Sequence, residues 1–343
     1  MAISSFAETL VEQMNSLTLE RVGQQAIKNA HKNQLSIEES NPIQYLKDSG
    51  LPDNDTALVI AAGPSLHRND TAKMIKGSNF DGTIIVTESS MAWCLRNKII
   101  PHVVVTVDPH PERIVRWFGD PKLNQQAIDE DDYFSRQDMD PSFRDNQLAF
   151  NNDLINLINE HGKEMRIAIS SSASPAVVQR AQQSGMDTYW WNPFFDDYDA
   201  PESLTREVHR MNGLPCINAG GNVGTACWVI AHALLSKSRV GLLGMDFSYY
   251  GDTTYKETQY YTELLDLLGE DNLSKGFVHF QNPHTNTEFF TDPAYLWYRS
   301  AFLEMAEMAS SNGVKTYNCT GGGILFGEGI ETCSFEEFIK PQQ

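Results

Sequence analysis

The chain of 343 residues is acidic, with 45 Asp and Glu against 26 Lys and Arg and a formal net charge of -19. This balance disfavours nucleic acid as a partner, because affinity for DNA or RNA comes mainly from Lys and Arg that neutralise phosphates. A basic start and a long apolar run are both missing, so we expect no secretory signal, no membrane insertion and a cytoplasmic location. The five cysteines are widely spaced without a CxxC pair and are expected to be reduced.

The first 50 residues are predicted to form a helical extension. Apolar side chains recur there at helical spacing, namely Phe6, Leu10, Val11, Met14 and Leu17. An apolar face of this kind has to dock on another surface. Two alternatives stay open, a cap on the remainder of the chain and self-association into a homo-oligomer.

Residues 51–340 alternate short Val- and Ile-rich runs with helical segments. This alternation predicts a Rossmann-like α/β domain, a doubly wound and mostly parallel sheet with helices on both faces. Strands are predicted at 56–62, 83–88, 102–108, 165–170, 188–191, 239–245 and 314–318, and helices at 176–183, 222–235 and 294–308. The acidic stretch from 119 to about 160 is expected to be a surface insertion, with a lid as one alternative.

Two glycine-rich turns follow predicted strands. Gly63-Pro64-Ser65 ends the first strand, and Gly220-Gly221-Asn222 opens a helix. Turns of this kind bring the main chain close to a ligand and expose amide N–H groups, which suits phosphate. Alternatively, the glycines only permit a tight reversal and close packing of helix against strand. Two such turns in one chain indicate a nucleotide site, and we expect their amides to grip one phosphate group in a common cleft.

The third predicted strand runs into a loop that is dense in titratable groups, Asp108, His110, Glu112 and Arg113. A carboxylate at Asp108 suits a divalent metal or a ribose hydroxyl, His110 is a further candidate for nucleotide binding, and Arg113 suits a phosphate. The alternative is local, with Asp108 and Glu112 capping a helix at 114–118.

Polar side chains also follow the second and sixth predicted strands. Glu88 and Ser89 come after the second strand, and Asp246, Tyr249 and Tyr255 after the sixth. Carboxylates accept hydrogen bonds from ligand hydroxyls, and tyrosine hydroxyls donate to the phosphate of a leaving nucleotide. Packing is the alternative for each tyrosine.

His279 and His284 are the candidates for a general base, because an imidazole titrates close to neutral pH. For either one alone, a surface or core histidine is the alternative. The chain has no GxxxxGK[ST], GxSxG or HExxH motif and no GxGxxG after a strand. P-loop NTPases, α/β-hydrolases, zincins and dinucleotide dehydrogenases therefore lack their defining residues.

Five motifs in this order resemble the Maf/MptE-like family: AAGPSL at 61–66, VDPHPE at 107–112, GGNV at 220–223, GMDFS at 244–248 and NCTGGG at 318–323. That family includes bacterial motility accessory factors, implicated in glycosylating flagellin with nonulosonic acids, and archaeal 6-hydroxymethylpterin diphosphokinases. The resemblance covers about residues 50–338.

A more distant likeness is to bacterial sialyltransferases that use CMP-sialic acid. It implies that Tyr255 contacts the donor phosphate and that His279 or His284 is the base. Other residues would border the donor, namely Gly63, Ser65, Gly221, Asn222 and Asp246. Ala62 stands where those enzymes carry Asn, and Ser248 stands where they carry the first phosphate tyrosine.

The resemblance implies a nucleotide-binding transferase, first a glycosyltransferase that moves a CMP-nonulosonate type sugar to a hydroxyl on a protein or glycan, with no cofactor required. The alternative is a diphosphokinase-like pyrophosphoryl transferase that uses ATP and Mg²⁺ held by Asp108. A third hypothesis, from another class, is a noncatalytic sensor of a nucleotide or glycan.

Overall fold

A computed structural model describes residues 5–110, 113–133, 136 and 146–340, with side chains from residue 22 onwards. Its strands are β1 (Asn41–Pro42), β2 (Thr56–Ile60), β3 (Thr83–Thr87), β4 (Val103–Thr106), β5 (Arg166–Ser170), β6 (Asp187–Pro193), β7 (Cys216–Ile217), β8 (Arg239–Leu243), β9 (Tyr249–Tyr250), β10 (Val278–Gln281), β11 (Glu288–Thr291), β12 (Lys315–Asn318) and β13 (Ile330–Thr332). All seven strands predicted from the sequence are present.

The helices of the described residues are α1 (Ser5–Glu38), α2 (Ser65–Arg68), α3 (Thr71–Gly77), α4 (Glu88–Arg96), α5 (Gln125–Glu130), α6 (Gln147–His161), α7 (Pro175–Ser184), α8 (Leu204–Asn212), α9 (Val223–Val229), α10 (Tyr261–Leu268), α11 (Pro293–Ser311) and α12 (Phe335–Phe338). A π-helical turn, Ile230–Leu234, continues α9, and 3-10 turns lie at Ile43–Asp48, Ile114–Phe118, Gly162–Glu164, Tyr255–Glu257 and Glu270–Gly276. In the part of the chain covered here, no helix has the length and apolar character needed to cross a membrane.

The main sheet is parallel throughout, in the spatial order β1-β6-β5-β4-β3-β2-β8-β12-β13, with β7 paired to β6. Alternate residues of each central strand enter two separate cores. In β2, Leu58 and Ile60 pack on one face, and Ala57 and Val59 on the other, all without solvent exposure. Burial of both faces confirms the predicted Rossmann-like, doubly wound α/β fold.

The strand order reverses between β2 and β8. Strands β2 to β6 extend in one direction from this point, whereas β8 pairs with the opposite edge of β2 and β12 follows it. In doubly wound sheets, ligands bind in the crevice outside the carboxyl ends of the strands at such a point. The turn at Gly63 and the segment around Asp246 follow these two strands, so the topology brings them together.

A smaller antiparallel sheet of β10, β11 and β9 stands beside this edge. No strand was predicted there from the sequence. Tyr249 begins β9, and His279 lies in β10 opposite Phe290 of β11. The small sheet therefore carries two of the residues that the sequence singled out.

Helix α1 docks on the rest of the chain, against α8 and α11. The Asn29 side-chain amide donates to the carbonyls of Pro109 (2.8 Å) and Ser172 (2.9 Å), and that of Asn33 to the carbonyls of Ser171 (2.9 Å) and Ala173 (2.8 Å). The helix thus holds the loops that follow β4 and β5. The apolar stripe predicted from Phe6 to Leu17 lies outside the described side chains.

The acidic segment from 119 to 160 contains α5 and α6. Helix α6 buries Leu154 and Ile158 fully in the core on one face of the sheet. Tyr133, between these helices, is also buried and reaches the crevice described below.

Candidate functional site

A cavity of about 200 Å³ lies at the carboxyl ends of β2, β3, β4 and β8. Both glycine turns border it, the first through Gly63 and Pro64 and the second through Gly221 and Asn222. The structure thus places the two turns at one cleft, as expected from the sequence. That this cleft binds a nucleotide stays a prediction.

The amides of the first turn are already bonded within the protein. The Gly63 amide donates to the carbonyl of Gly244 (2.9 Å), and the Ser65 amide to Asp246 Oδ1 (3.3 Å). A Cβ at residue 63 would overlap the Asp246 carboxyl group, so only glycine fits there. The turn therefore joins β2 to β8. The expectation that its amides point at a ligand is not met for Gly63 and Ser65, because both have protein acceptors.

Asp246 is almost fully buried beside this turn. Its Oδ2 atom accepts the Ser65 hydroxyl at 2.7 Å. Burial raises the pKa of Asp246 to about 7, while the hydrogen bonds from Ser65 favour the charged form and limit the rise. Asp246 lines the cavity, but its carboxyl group is hydrogen-bonded to Ser65. The junction between β2 and β8 is therefore sufficient to explain the position of Asp246.

The second turn differs, because several of its amides are open. Asn222 caps α9 by accepting from the Thr225 amide (2.9 Å), and the Gly220 amide donates to Asn218 Oδ1 (2.9 Å). Among the described residues, no acceptor bonds to the amides of Gly221, Val223 and Gly224, and all three residues line the cavity. These amides are the donors that the cavity offers to an anionic group.

Gly221 is required by its surroundings. Its φ is +80°, and a Cβ there would lie 2.5 Å from the Trp297 ring and 2.7 Å from the Tyr298 ring. A side chain at 221 would thus be strained in its backbone and would collide with α11. The sequence predicted that the main chain at this glycine comes close to a ligand. In the structure the glycine borders the cavity and also permits close packing against α11.

Besides Asp246, two further carboxyl groups border the cavity, Glu88 at the start of α4 and Asp108 after β4. Glu88 is 3% exposed, and its Oε2 atom has no hydrogen-bond partner among the described residues. Burial, and secondarily the charge of Asp108, raise the pKa of Glu88 to about 8. Asp108 Oδ1 accepts from the His110 amide at 2.7 Å, so Asp108 also shapes its own loop. Ser89 lines the cavity as well.

His110 accepts the Arg113 amide at its Nδ1 atom (3.1 Å) and is not among the residues that line the cavity. Arg113 pairs with Asp131 at 2.8 Å. The helix predicted at 114–118 is the 3-10 turn Ile114–Phe118. Glu112 lies outside the described residues.

A wall of tyrosines around Gln259 completes the cavity, and sequence reasoning did not assign it to the site. The Gln259 side-chain amide donates to the Tyr133 hydroxyl (3.2 Å) and accepts from the Tyr295 hydroxyl (2.6 Å). The hydroxyls of Tyr260 and Tyr298 lie 3.0 Å apart. Tyr295 and Tyr298 lie in the helix predicted at 294–308. The tyrosines at its amino-terminal end were the signal available for this wall.

Tyr249, which was predicted to bind the nucleotide, lines the cavity with its hydroxyl engaged. That hydroxyl donates to Asp292 (3.0 Å) and accepts from the backbone amide of Gln259 (3.0 Å). Tyr249 therefore holds the backbone of Gln259 in place.

Of the candidate catalytic residues, His279 lies in β10 of the small sheet, and Tyr255 lies in the 3-10 turn Tyr255–Glu257. His279 Nδ1 lies 3.1 Å from Glu288 Oε1, and its Nε2 atom lies 3.5 Å from the Tyr255 hydroxyl. His284 is in the loop after β10, where its amide donates to Asn282 (2.8 Å). The residues lining the cavity, as far as the structure describes them, do not include Tyr255, His279 or His284. The structure brings Tyr255 and His279 together, and their catalytic roles stay predictions.

Lys and Arg are not found among the described residues that line the cavity. Nor do three His, Cys, Asp or Glu side chains of the described chain converge in a group that could hold a metal ion. A parallel α/β sheet with its crevice at the point where the strand order reverses is the arrangement of nucleotide-binding Rossmann-like proteins.

Comparison with known proteins agrees with the resemblance found in the motifs. Residues 25–118 match the model of the family described as 6-hydroxymethylpterin diphosphokinase MptE-like. The chain is also similar to the structure of the Maf glycosyltransferase from Magnetospirillum magneticum AMB-1, with a TM-score of 0.51 and 12% identity over 89% of this chain. At this identity the likeness shows the fold alone. The match spans 39% of the length of that protein. The sequence has no significant match among curated proteins.

Proposed function

We propose that the protein is a transferase that binds a nucleotide-activated sugar of the CMP-nonulosonate type and passes the sugar to a hydroxyl of a protein or glycan. The observation that carries the proposal is the composition of the cavity. Residues with open amides at the start of α9 line it together with tyrosines and a glutamine, and lysine and arginine are not among its described lining residues. Uncharged donors suit the single phosphodiester of a CMP-sugar, whereas a bare triphosphate requires more compensating charge.

The residues take the following roles in this proposal. The amides of Gly221, Val223 and Gly224 bind the phosphate, and Asp108 accepts from a ribose hydroxyl. His279 is the base for the acceptor hydroxyl, because Glu288 accepts from Nδ1 and leaves Nε2 as the proton acceptor. The names of the two similar groups of proteins, a glycosyltransferase and a diphosphokinase, support a transferase.

A second candidate function is pyrophosphoryl transfer from ATP to a pterin-like alcohol. It is favoured by the pair of carboxyl groups at the cavity and by the family match, which covers both. One or two carboxylates together with substrate phosphates are the usual ligands of Mg²⁺. Asp108 would hold the ion with the unpartnered Oε2 of Glu88 beside it, and the ion would supply charge neutralisation to the phosphates.

Calorimetric titration with CMP, UDP, ADP and ATP, each with and without Mg²⁺, separates these functions. The glycosyltransferase proposal expects binding selective for CMP, independent of Mg²⁺ and abolished by Gly221→Ala. The diphosphokinase expects binding of ATP that requires Mg²⁺ and is lost in Asp108→Ala but kept in Asp53→Ala, a control on an exposed acid.

Binding without hydrolysis of CMP-N-acetylneuraminate and without transfer would identify a sensor. A protein that binds none of the four nucleotides would contradict both transferase functions.

A further inference from the structure

A second cavity, of about 430 Å³, adjoins the first one. Ala62 and Ser89 line both cavities, so the two spaces meet at the carboxyl ends of β2 and β3. The walls of the second cavity come mainly from α2, α3 and α4. None of the motifs singled out in the sequence assigns a role to this space.

The charge of this second cavity is opposite to that of the whole chain. Lys73, Lys76 and Arg96 line it, against a single acidic residue, Asp70. Lys73 and Lys76 are three residues apart on α3 and exposed, and in the described part of the chain no carboxylate lies within ion-pair distance of either. Arg96 is partly neutralised by Asp153, at 3.5 Å. In a protein with a net charge of -19, a local excess of cations at a concave site favours an anion.

The rest of the wall is suited to an organic anion. Trp93 and Trp117 line the cavity beside the lysines. Trp117 is 1% exposed and belongs to the core, so the flat apolar surface for the carbon face of a sugar ring comes from the half-buried indole of Trp93. The ammonium groups provide the charge for the acidic substituent of the sugar. The first cavity, called the tyrosine cavity here after the tyrosines that line it, differs in charge, since Lys and Arg are not among its described lining residues. The second cavity is called the basic cavity.

We propose that the basic cavity is an anion subsite, which binds a carboxylate or phosphate of the substrate whose nucleotide lies in the tyrosine cavity. The proposal rests on the proposed function in placing a nucleotide in that neighbouring cavity. A nonulosonate carries a carboxylate next to the bond that joins it to CMP, so a donor of this class has one anionic group for each cavity. An anionic acceptor is the other source of the same chemistry.

The test compares Lys73→Ala/Lys76→Ala with Lys47→Ala/Lys122→Ala, a control that removes two exposed lysines elsewhere and has the same net charge. Calorimetry uses CMP as the probe of the tyrosine cavity, and CMP-N-acetylneuraminate and inorganic phosphate as anionic probes. The part of their affinity that depends on Lys73 and Lys76 reports on the basic cavity. We expect CMP to bind both double variants and the wild type equally. Affinity for CMP-N-acetylneuraminate should fall by about tenfold or more in the Lys73/Lys76 variant alone, which corresponds to the loss of roughly one strong charge contact.

Loss of phosphate binding in the Lys73/Lys76 variant, with CMP-N-acetylneuraminate unaffected, would support the subsite and assign it to the acceptor. Equal affinities of the two double variants for both anionic probes would overturn the proposal. If the wild type binds neither CMP nor CMP-N-acetylneuraminate, the proposed function fails, and the phosphate titration still decides whether the lysines form an anion site.

Discussion

Ser65 and Asp246 are separated by 181 positions in the sequence, and the Ser65 hydroxyl donates to the Asp246 carboxyl group at 2.7 Å. This bond ties the ends of β2 and β8 together where the strand order of the sheet reverses. The sequence had suggested Ser65 and Asp246 as residues that border a ligand, and here their side chains bond to each other. The crevice is therefore built on a polar junction that is internal to the protein.

Ser65→Ala should lower the free energy of unfolding by about 1–3 kcal/mol at pH 8, because it leaves a buried carboxylate with fewer donors. The loss should be smaller at pH 5, where Asp246, with a pKa of about 7, is protonated. Urea denaturation at both pH values measures the difference. Ser78→Ala is the matched control, since its hydroxyl bonds only to nearby backbone groups, the carbonyl of Ile75 and the amide of Phe80. Equal losses at pH 5 and pH 8 would contradict this account.

Glu88 should make the protein less stable as the pH rises. Its pKa is raised from 4.5 to about 8 in the fold, so the folded state holds a proton that the unfolded state releases. The contribution is fully present below pH 4.5 and is lost as the pH rises through about 8. Glu88→Gln should flatten the dependence of the unfolding midpoint on pH between 5 and 8. An unchanged slope in this variant would show that Glu88 is charged in the folded protein.

Gly221→Ala should cost more stability than Gly213→Ala and should also abolish nucleotide binding. Both glycines have positive φ, +80° and +69°, so both substitutions carry a backbone penalty of about 1–2 kcal/mol. Only at Gly221 does the new Cβ meet other groups, the rings of Trp297 and Tyr298, whereas nothing lies within 4 Å at Gly213. Thermal unfolding and CMP titration of the two variants check this. Similar losses of stability in the two variants would mean that α11 shifts to accommodate the new Cβ at position 221, which would contradict the prediction.

His279→Gln should reduce sugar transfer by roughly 10²- to 10⁴-fold while leaving the affinity for CMP unchanged, as expected for a base that does not touch the nucleotide. His161→Gln is the control, because His161 is also paired with a glutamate, Glu164 at 2.8 Å, outside the cavity. Single-turnover transfer from CMP-N-acetylneuraminate provides the rate. If His284→Gln alone lowers the rate, the base is His284.

Much of the fold could be predicted because its signals are local. The central strands are continuous apolar runs. The helix predicted at 176–183 is α7, which begins at the Ser174 cap and ends at Gly185 in the left-handed conformation, and both residues are local signals. Strands such as β1, β7 and β9 have two residues each and leave no periodic pattern. They form only because neighbouring strands are already in place.

The site was less predictable, because its groups are satisfied by distant partners. That the Gly63 amide bonds to Gly244 cannot be read from either motif alone. The tyrosine wall assembles from Tyr133, Gln259, Tyr260, Tyr295 and Tyr298, which lie on separate segments. From the local sequence alone, a tyrosine at helical spacing is interpreted as a core residue. Its place in the wall of the crevice depends on where its helix packs at the edge of the sheet.

The two asparagines of α1 have a consequence for how the chain reaches this arrangement. Asn29 is synthesised before its acceptors at Pro109 and Ser172, which follow 80 and 143 positions later. Contacts of such long range slow folding, because a large loop must close before they form. The loop that presents Asp108 is thus held by α1 only after the chain has been synthesised as far as Ser172.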